Sequence, residues 1–340
     1  MTNKKRAVVV FPGRGSYAAT ELGYLARHHS SQMDLIRALD DRRSSNGATP
    51  TGELDGMDKF SPSKHLPGRN ASNLIYTCAQ ADFRAIDRDR IEVVAVCGNS
   101  LGWYLTFAAS GALTLEEGAH LVDTMGGLME RDGVGGQLLC PISDDLWRID
   151  PEKRSWVFDA INRTDNAYLS IDLGGTLVLA GDAKAIKILQ EELSNTDGAP
   201  VQLPKHAAFH TPLLNDVSET ARAQLLLEAF SAPDIPMIDG RGKIWSPSAT
   251  NTHELYDYTL GHQIVAPYDF AKSVEVAIKE FAPDMVILTG PGGSLGAPIA
   301  QCLIANNWQD IGDRSTFMDR QTNDPFLVSM GREDQRELAT

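Results

Sequence analysis

The stretch "AVCGNSLGWY", residues 95–104, decides how the rest of the chain is read. An apolar run, Ile91–Gly98, ends there in a serine flanked at two positions' distance by Gly98 and Gly102. G-x-S-x-G between a strand and a helix is the pattern of a nucleophile elbow. The serine takes a strained turn, so the flanking residues must be small. The helix that follows aims its first N–H groups and the positive end of its dipole at a developing oxyanion. An ordinary strand-to-helix turn is the competing reading, and the bare pattern also occurs by chance.

Two other apolar runs end in glycines: "RAVVVFPGRGS" near the start and "PDMVILTGPGG" near residue 290. Continuous runs of this kind suit strands buried on both faces of a parallel sheet, and sites in such sheets form beyond the strands' carboxyl ends. Gly13-Arg14-Gly15-Ser16-Tyr17-Ala18 lacks the third glycine of a dinucleotide fingerprint. Helices are expected over about 18–38 and 73–86, with a long polar loop over 40–72 between them. Two more follow the elbow, divided at Gly111, the second opened by a Thr114/Glu117 capping box. Beyond Gly135 the order becomes β-α-β-β-α-β, the split arrangement of a ferredoxin-like subdomain. A helix over 212–227, a hairpin in "IPMIDGRGKIW", a helix in "YDFAKSVEVAIKEF" and the last buried strand then follow. The fold class is therefore α/β. An α/β-hydrolase-like core with a parallel sheet spans 1–130 and 205–315, a ferredoxin-like subdomain is inserted over 131–204, and 316–340 is a loosely packed polar tail.

The bulk composition narrows the function. A net charge of −14 over 340 residues argues against nucleic acid as the main partner. No run of 18 apolar residues is present, so no membrane span is expected, and the short N-terminal apolar run reads as a strand and not as a signal peptide. Cys78, Cys97, Cys140 and Cys302 form no C-x-x-C pair, so neither a metal site nor a disulfide framework is expected, and the cytoplasm is the expected location. Cys97, inside the strand, reads as core.

A serine nucleophile needs a base. Of eight histidines, His28, His29, His65 and His253 lie in polar stretches and are expected at the surface, and His120 sits on a helix, so His206, His210 and His262 remain. "PKHAAFHTPLL" puts His206 and His210 where the chain re-enters the core, and the chemistry alone leaves them tied.

The pieces together resemble the malonyl-CoA:acyl carrier protein transacylases and the acyltransferase domains of polyketide synthases, over about Arg6 to Ile304. Phe11-Pro12-Gly13-Arg14-Gly15-Ser16-Tyr17 is similar to that family's F-P-G-Q-G-S-Q, and Gly98-Asn99-Ser100-Leu101-Gly102-Trp103-Tyr104 to its G-H-S-L-G-E-Y. "ASGALTLEEGAHLVDTMGGLM", "LVLAG", "AFHTPLL", "GHQIVAPYDFAKSVE" and "LTGPGGSLGAPI" follow in the family's order. The resemblance implies a ping-pong acyl transfer of fatty acid or polyketide biosynthesis. Ser100 attacks an acyl-CoA, His210 is the base, and the backbone N–H groups of Arg14 and Leu101 form the oxyanion hole. A backbone carbonyl at Gln263 orients the histidine. The acyl group passes to the phosphopantetheine thiol of an acyl carrier protein, and no metal or bound cofactor takes part.

In the first loop Arg14 and Tyr17 replace glutamines, and at Arg14 the backbone donor survives the side-chain change; three further positions depart from the pattern around the acyl site. Met125 stands where the family's L-V-x-x-R-G has the arginine that holds a malonyl carboxylate, Asn99 replaces a histidine and Trp103 a glutamate. All three are assigned to the acyl pocket. A soft apolar wall at Met125 favours uncharged acyl groups, unless another arginine, Arg14 or Arg131, reaches in from a loop. Trp103 has a packing role as its alternative. A thioester hydrolase of the same fold and a non-catalytic synthase subunit are the other functions this sequence admits.

Overall fold

The computed structural model describes residues 4–195 and 199–340 of the chain. Its main sheet runs in the order β11 (Leu327–Ser329), β10 (Met285–Leu288), β1 (Lys5–Phe11), β2 (Ile91–Gly98), β7 (Met237–Ile238) and β8 (Ile244–Trp245). β1 (Lys5–Phe11) lies at the centre, parallel to both β2 (Ile91–Gly98) and β10 (Met285–Leu288). Ala7 to Phe11 are fully buried, as an apolar run with helices on both faces must be. β7 (Met237–Ile238) extends the sheet in parallel and turns back as the short antiparallel β8 (Ile244–Trp245).

The second sheet has the order β6-β3-β5-β4-β9. β3 (Gly136–Pro141), β4 (Ala167–Asp172), β5 (Thr176–Gly181) and β6 (Val201–Gln202) carry the expected ferredoxin-like order. Alternation gives this sheet two jobs. Leu138, Cys140, Leu177 and Leu179 face its own two helices, Pro151–Arg163 and Ala183–Glu192, in a separate small core. Gln137, Leu139, Thr176 and Val178 face the other way and wall a cavity shared with the main domain. β9 (Tyr268–Asp269) joins this sheet beside β4 from a segment of the main domain. The Tyr268 hydroxyl donates to the carbonyl of Gly98 at 2.5 Å and so ties the sheet edge to the elbow.

Several sequence expectations need correction. Residues 40–72 are not a loop: Met33–Ser45, Thr51–Asp55, Pro62–His65 and Gly68–Ala85 are helical. Their polarity is used internally. The Arg43 side chain is buried, giving hydrogen bonds to the Thr49 carbonyl at 2.7 Å and to Asp123 at 3.2 Å. The single helix expected over 18–38 is broken at His29, and the helix expected over 212–227 ends at Gln224. His29 and His65 are buried and not at the surface: His29 Nε2 meets Asp82 at 2.8 Å, and His65 Nε2 meets the Leu54 carbonyl at 2.9 Å. The tail is not loose. Arg314–Asn323 is a helix, and β11 (Leu327–Ser329) pairs with β10 as the edge of the main sheet, leaving Val328 and Met330 without exposure. A strand of three residues is too short to carry a local signature. Its strand character comes from the open edge of β10.

Candidate active site

Ser100 sits between β2 and the helix Leu101–Ser110 with φ 56° and ψ −107°, a conformation that non-glycine residues rarely adopt. The glycines around it are required by close approach. A Cβ on Gly98 would lie 2.4 Å from the Gly102 carbonyl carbon, and one on Gly102 would lie 2.3 Å from the Phe11 carbonyl oxygen. The bend is thus pressed against the end of β1, which brings the "FPGRG" loop to the serine. Leu101 opens the helix, so its N–H has no carbonyl a turn earlier to bond and is free to face a ligand.

His210 also has positive φ, 60°, in the segment leading back from the subdomain. Its Nε2 lies 2.7 Å from Ser100 Oγ, and its Nδ1 lies 2.6 Å from the Gln263 backbone carbonyl. A carbonyl only accepts, so Nδ1 carries the proton and Nε2 presents its lone pair to the serine hydroxyl. The Gln263 side chain completes the frame: Nε2 donates to the Ser100 carbonyl at 3.2 Å, and Oε1 accepts from Tyr104 at 2.5 Å. Burial pulls the His210 pKa down to about 4, against the raising effect of the Gln263 hydrogen bond. The ring is therefore a neutral acceptor at neutral pH.

His206, tied with His210 on chemistry alone, is held elsewhere. Its Nδ1 meets Gln137 Oε1 at 2.7 Å, and Gln137 Nε2 donates to Ser170 Oγ at 2.6 Å. Ser170 in turn donates to the Phe209 carbonyl at 2.8 Å, so this chain of polar groups positions the backbone next to His210.

Two spaces meet at Ser100. A small pocket of about 50 Å³ is lined by Arg14, Ser100, Leu101, Met125, Met129 and Phe209 among others. A larger cavity of about 540 Å³ runs between the two sheets and includes Arg14, Asn99, Ser100, Leu139, Val178 and His206. Of the three residues assigned to the acyl pocket, Met125 lines the small space and Asn99 lines the large one. Trp103 belongs to neither: it is fully buried, packs edge-on against Phe107 and Tyr258 at 5.2 and 5.3 Å, and donates to Thr259 at 3.2 Å. On the helix it points away from the serine, so its substitution for a polar residue serves the core. Sequence reasoning missed Phe209 and Tyr104 as parts of the site, since an aromatic beside a motif carries no signal of the wall it will form.

No protein-family model matches the chain. Its curated relatives include a malonyl-CoA-acyl carrier protein transacylase of Bacillus subtilis, 24% identical over 228 residues that cover 66% of this chain and 69% of that one. A polyketide synthase of Streptomyces halstedii is 26% identical over 221 residues, 64% of this chain but 4% of the synthase. The chain thus spans only a small part of the synthase it matches. A malonyl-CoA:ACP transacylase of Synechocystis superposes with a TM-score of 0.75 at 16% identity, covering 98% of this chain and 99% of that one. The fold is that of the malonyl-CoA:acyl carrier protein transacylases. A further neighbour with this transacylase fold is a malonyl-transacylase solved in complex with its type II polyketide synthase acyl-carrier protein. It matches with a TM-score of 0.72 at 17% identity over 88% of this chain and 93% of that one. Among the described residues, no helix is long and apolar enough to cross a membrane.

Proposed function

We propose that this protein is an acyl-CoA:acyl carrier protein S-acyltransferase working through an acyl-enzyme on Ser100. The observation that carries the reading is the unbroken relay from Ser100 Oγ through His210 to the Gln263 carbonyl, with links of 2.7 and 2.6 Å, in a strained elbow open to a pocket. As the Ser100 oxygen bonds to the thioester carbon, His210 Nε2 takes its proton. The carbonyl oxygen becomes an oxyanion stabilised by the backbone N–H groups of Leu101 and Arg14. When the carbon–sulfur bond breaks, the proton passes to the departing CoA thiolate. The phosphopantetheine thiol of a carrier protein then repeats the sequence in reverse and leaves Ser100 free. The large cavity suits the long pantetheine arm, and the small pocket suits a short acyl group. No acidic third member is needed, because the carbonyl fixes the tautomer and the ring is kept neutral by burial. The transacylases and carrier-protein complex among the relatives and structural neighbours support this assignment. With Met125 at the pocket wall, charge selection from that helix position is absent, so acyl specificity is set differently from the family's arrangement.

Intact-mass measurement after incubation with a panel of acyl-CoAs tests the reading. One acyl group should add to the wild-type protein and none to Ser100→Ala. An adduct that survives in Ser100→Ala, on Cys97 or Cys140, overturns it. Release of the adduct by a carrier protein and not by buffer separates the transferase from a thioester hydrolase.

A further inference from the structure

Among the described residues, Arg14 is a cation with no carboxylate in ion-pair contact. It forms no ion pair with any described residue, whereas Arg131, the other arginine considered from the sequence, is exposed and bound to Asp132 at 2.6 Å. The Arg14 side chain leaves the loop after β1 and runs into the space beside Ser100, where it lines both the small pocket and the larger cavity. Its Nη2 donates to the Leu66 carbonyl at 3.0 Å, and its guanidinium lies 5.6 Å from the centre of the Phe209 ring. The far end reaches the helix that carries Met125: a Cβ on Gly68 would sit 2.5 Å from the Gly126 carbonyl oxygen and 3.4 Å from Arg14 Nη1. Glu130 on that helix favours the cation from a distance, but its carboxylate is engaged by the Arg69 backbone N–H at 3.1 Å. Burial lowers the Arg14 pKa to about 10, which still leaves it charged at neutral pH. One of the five guanidinium donors is accounted for, and a partly buried cation with spare donors beside the serine is suited to an anion.

We infer that Arg14 is the specificity-determining residue of the acyl site, receiving a carboxylate at the far end of the acyl group. The substrate class is then the half-thioester of a short dicarboxylic acid. The charge missing at Met125 is supplied from the loop after β1, by a residue whose backbone N–H serves the oxyanion while its side chain reads the acyl group. This inference rests on the acyl-enzyme reading above, and it replaces the preference for uncharged acyl groups that Met125 alone implies.

The test compares malonyl-CoA with isovaleryl-CoA, its uncharged counterpart of equal heavy-atom count, in single-turnover loading of Ser100. The wild type should load malonyl faster. Arg14→Met, which keeps the backbone donor, should lower the malonyl-to-isovaleryl rate ratio by about 10- to 150-fold, the value of one charge-assisted contact. Arg14→Lys should recover part of the ratio, and both variants should be compared at matched thermal stability. Wild-type loading of isovaleryl at least as fast as malonyl overturns the inference, whether or not the variants fold. So does an equal loss of both rates in Arg14→Met. Absence of a Ser100 adduct from every thioester instead overturns the acyl-transfer reading and this inference with it.

Discussion

At the scale of single residues, the two histidines of "PKHAAFHTPLL" make opposite predictions. His210→Ala removes the hydrogen-bond acceptor of Ser100 and should slow acylation by about 10²- to 10⁴-fold, the usual worth of a general base. His206→Ala should have a milder effect, because its ring holds Gln137 and touches the reacting atoms only through the backbone. Single-turnover acylation of both variants checks the order, and a larger loss in His206→Ala counts against the assignment. The pH dependence follows from the buried ring. Only unprotonated His210 can accept the serine proton, and its pKa is pulled down to about 4. The acylation rate should therefore stay level through neutrality and fall only as the pH drops through about 4. A midpoint near the ordinary histidine value would show that the ring is hydrated when it works.

At the scale of elements, the helix Leu115–Arg131 shows which signals are local. Its start was legible in the sequence: Thr114 Oγ1 accepts from the Glu117 N–H at 3.2 Å, and the Glu117 carboxylate accepts from the Thr114 N–H at 2.8 Å. Thr114→Ala should cost about 1 kcal/mol of stability in urea unfolding. Its middle was not legible. Gly126 crosses the helix Gly68–Ala85 so closely that a Cβ there would lie 2.7 Å from the Gly68 carbonyl oxygen. Alanine improves intrinsic helix propensity by about 1 kcal/mol. Overpacking against rigid backbone costs about 1–3 kcal/mol and should prevail. Gly126→Ala is thus expected to destabilise the fold and to disturb the wall against which Arg14 lies, read as a lower urea midpoint with weaker acyl loading. A midpoint at or above that of the wild type would show that the two helices can part without cost.

At the scale of the whole molecule, the C-terminal segment is locked to the core through Asp82. This fully buried carboxylate accepts from the Arg336 guanidinium at 2.6 Å, from Tyr24 at 2.8 Å and from the Gly290 N–H at 2.6 Å, and His29 adds a contact at 2.8 Å. Burial alone would raise its pKa. The His29 hydrogen bond, the Arg336 charge and the Tyr24 hydroxyl outweigh that and hold the group below the usual carboxylate range. Its contribution to stability is present above the ordinary aspartate pKa and is lost as acid protonates the folded form. Asp82→Ala strands Arg336 beside His29 and should cost about 3–5 kcal/mol in denaturant unfolding. A loss below about 1 kcal/mol, the scale of an exposed pair, would show that the cluster is hydrated.

The features legible in the chain have causes within a few residues. The buried strands, the capping box, the sharp turn at Gly98–Gly102 and the β-α-β-β-α-β order are all set by backbone sterics, periodicity and nearest-neighbour hydrogen bonds. The remaining features depend on contacts between distant segments. Ser100 and His210 are 110 residues apart, and the Gln263 carbonyl is 53 further on. Only the likeness of "AFHTPLL" to the family pattern points to His210; the chemistry of the two histidines does not tell which one the packing of two sheets will bring to the serine. The same holds for Trp103, which the helix rotates into the core, and for β11, whose pairing exists because β10 leaves an edge open. It holds most of all for Arg14. In the sequence it is one changed letter in a glycine loop; in the fold its long side chain crosses the pocket to the helix where the expected arginine is missing.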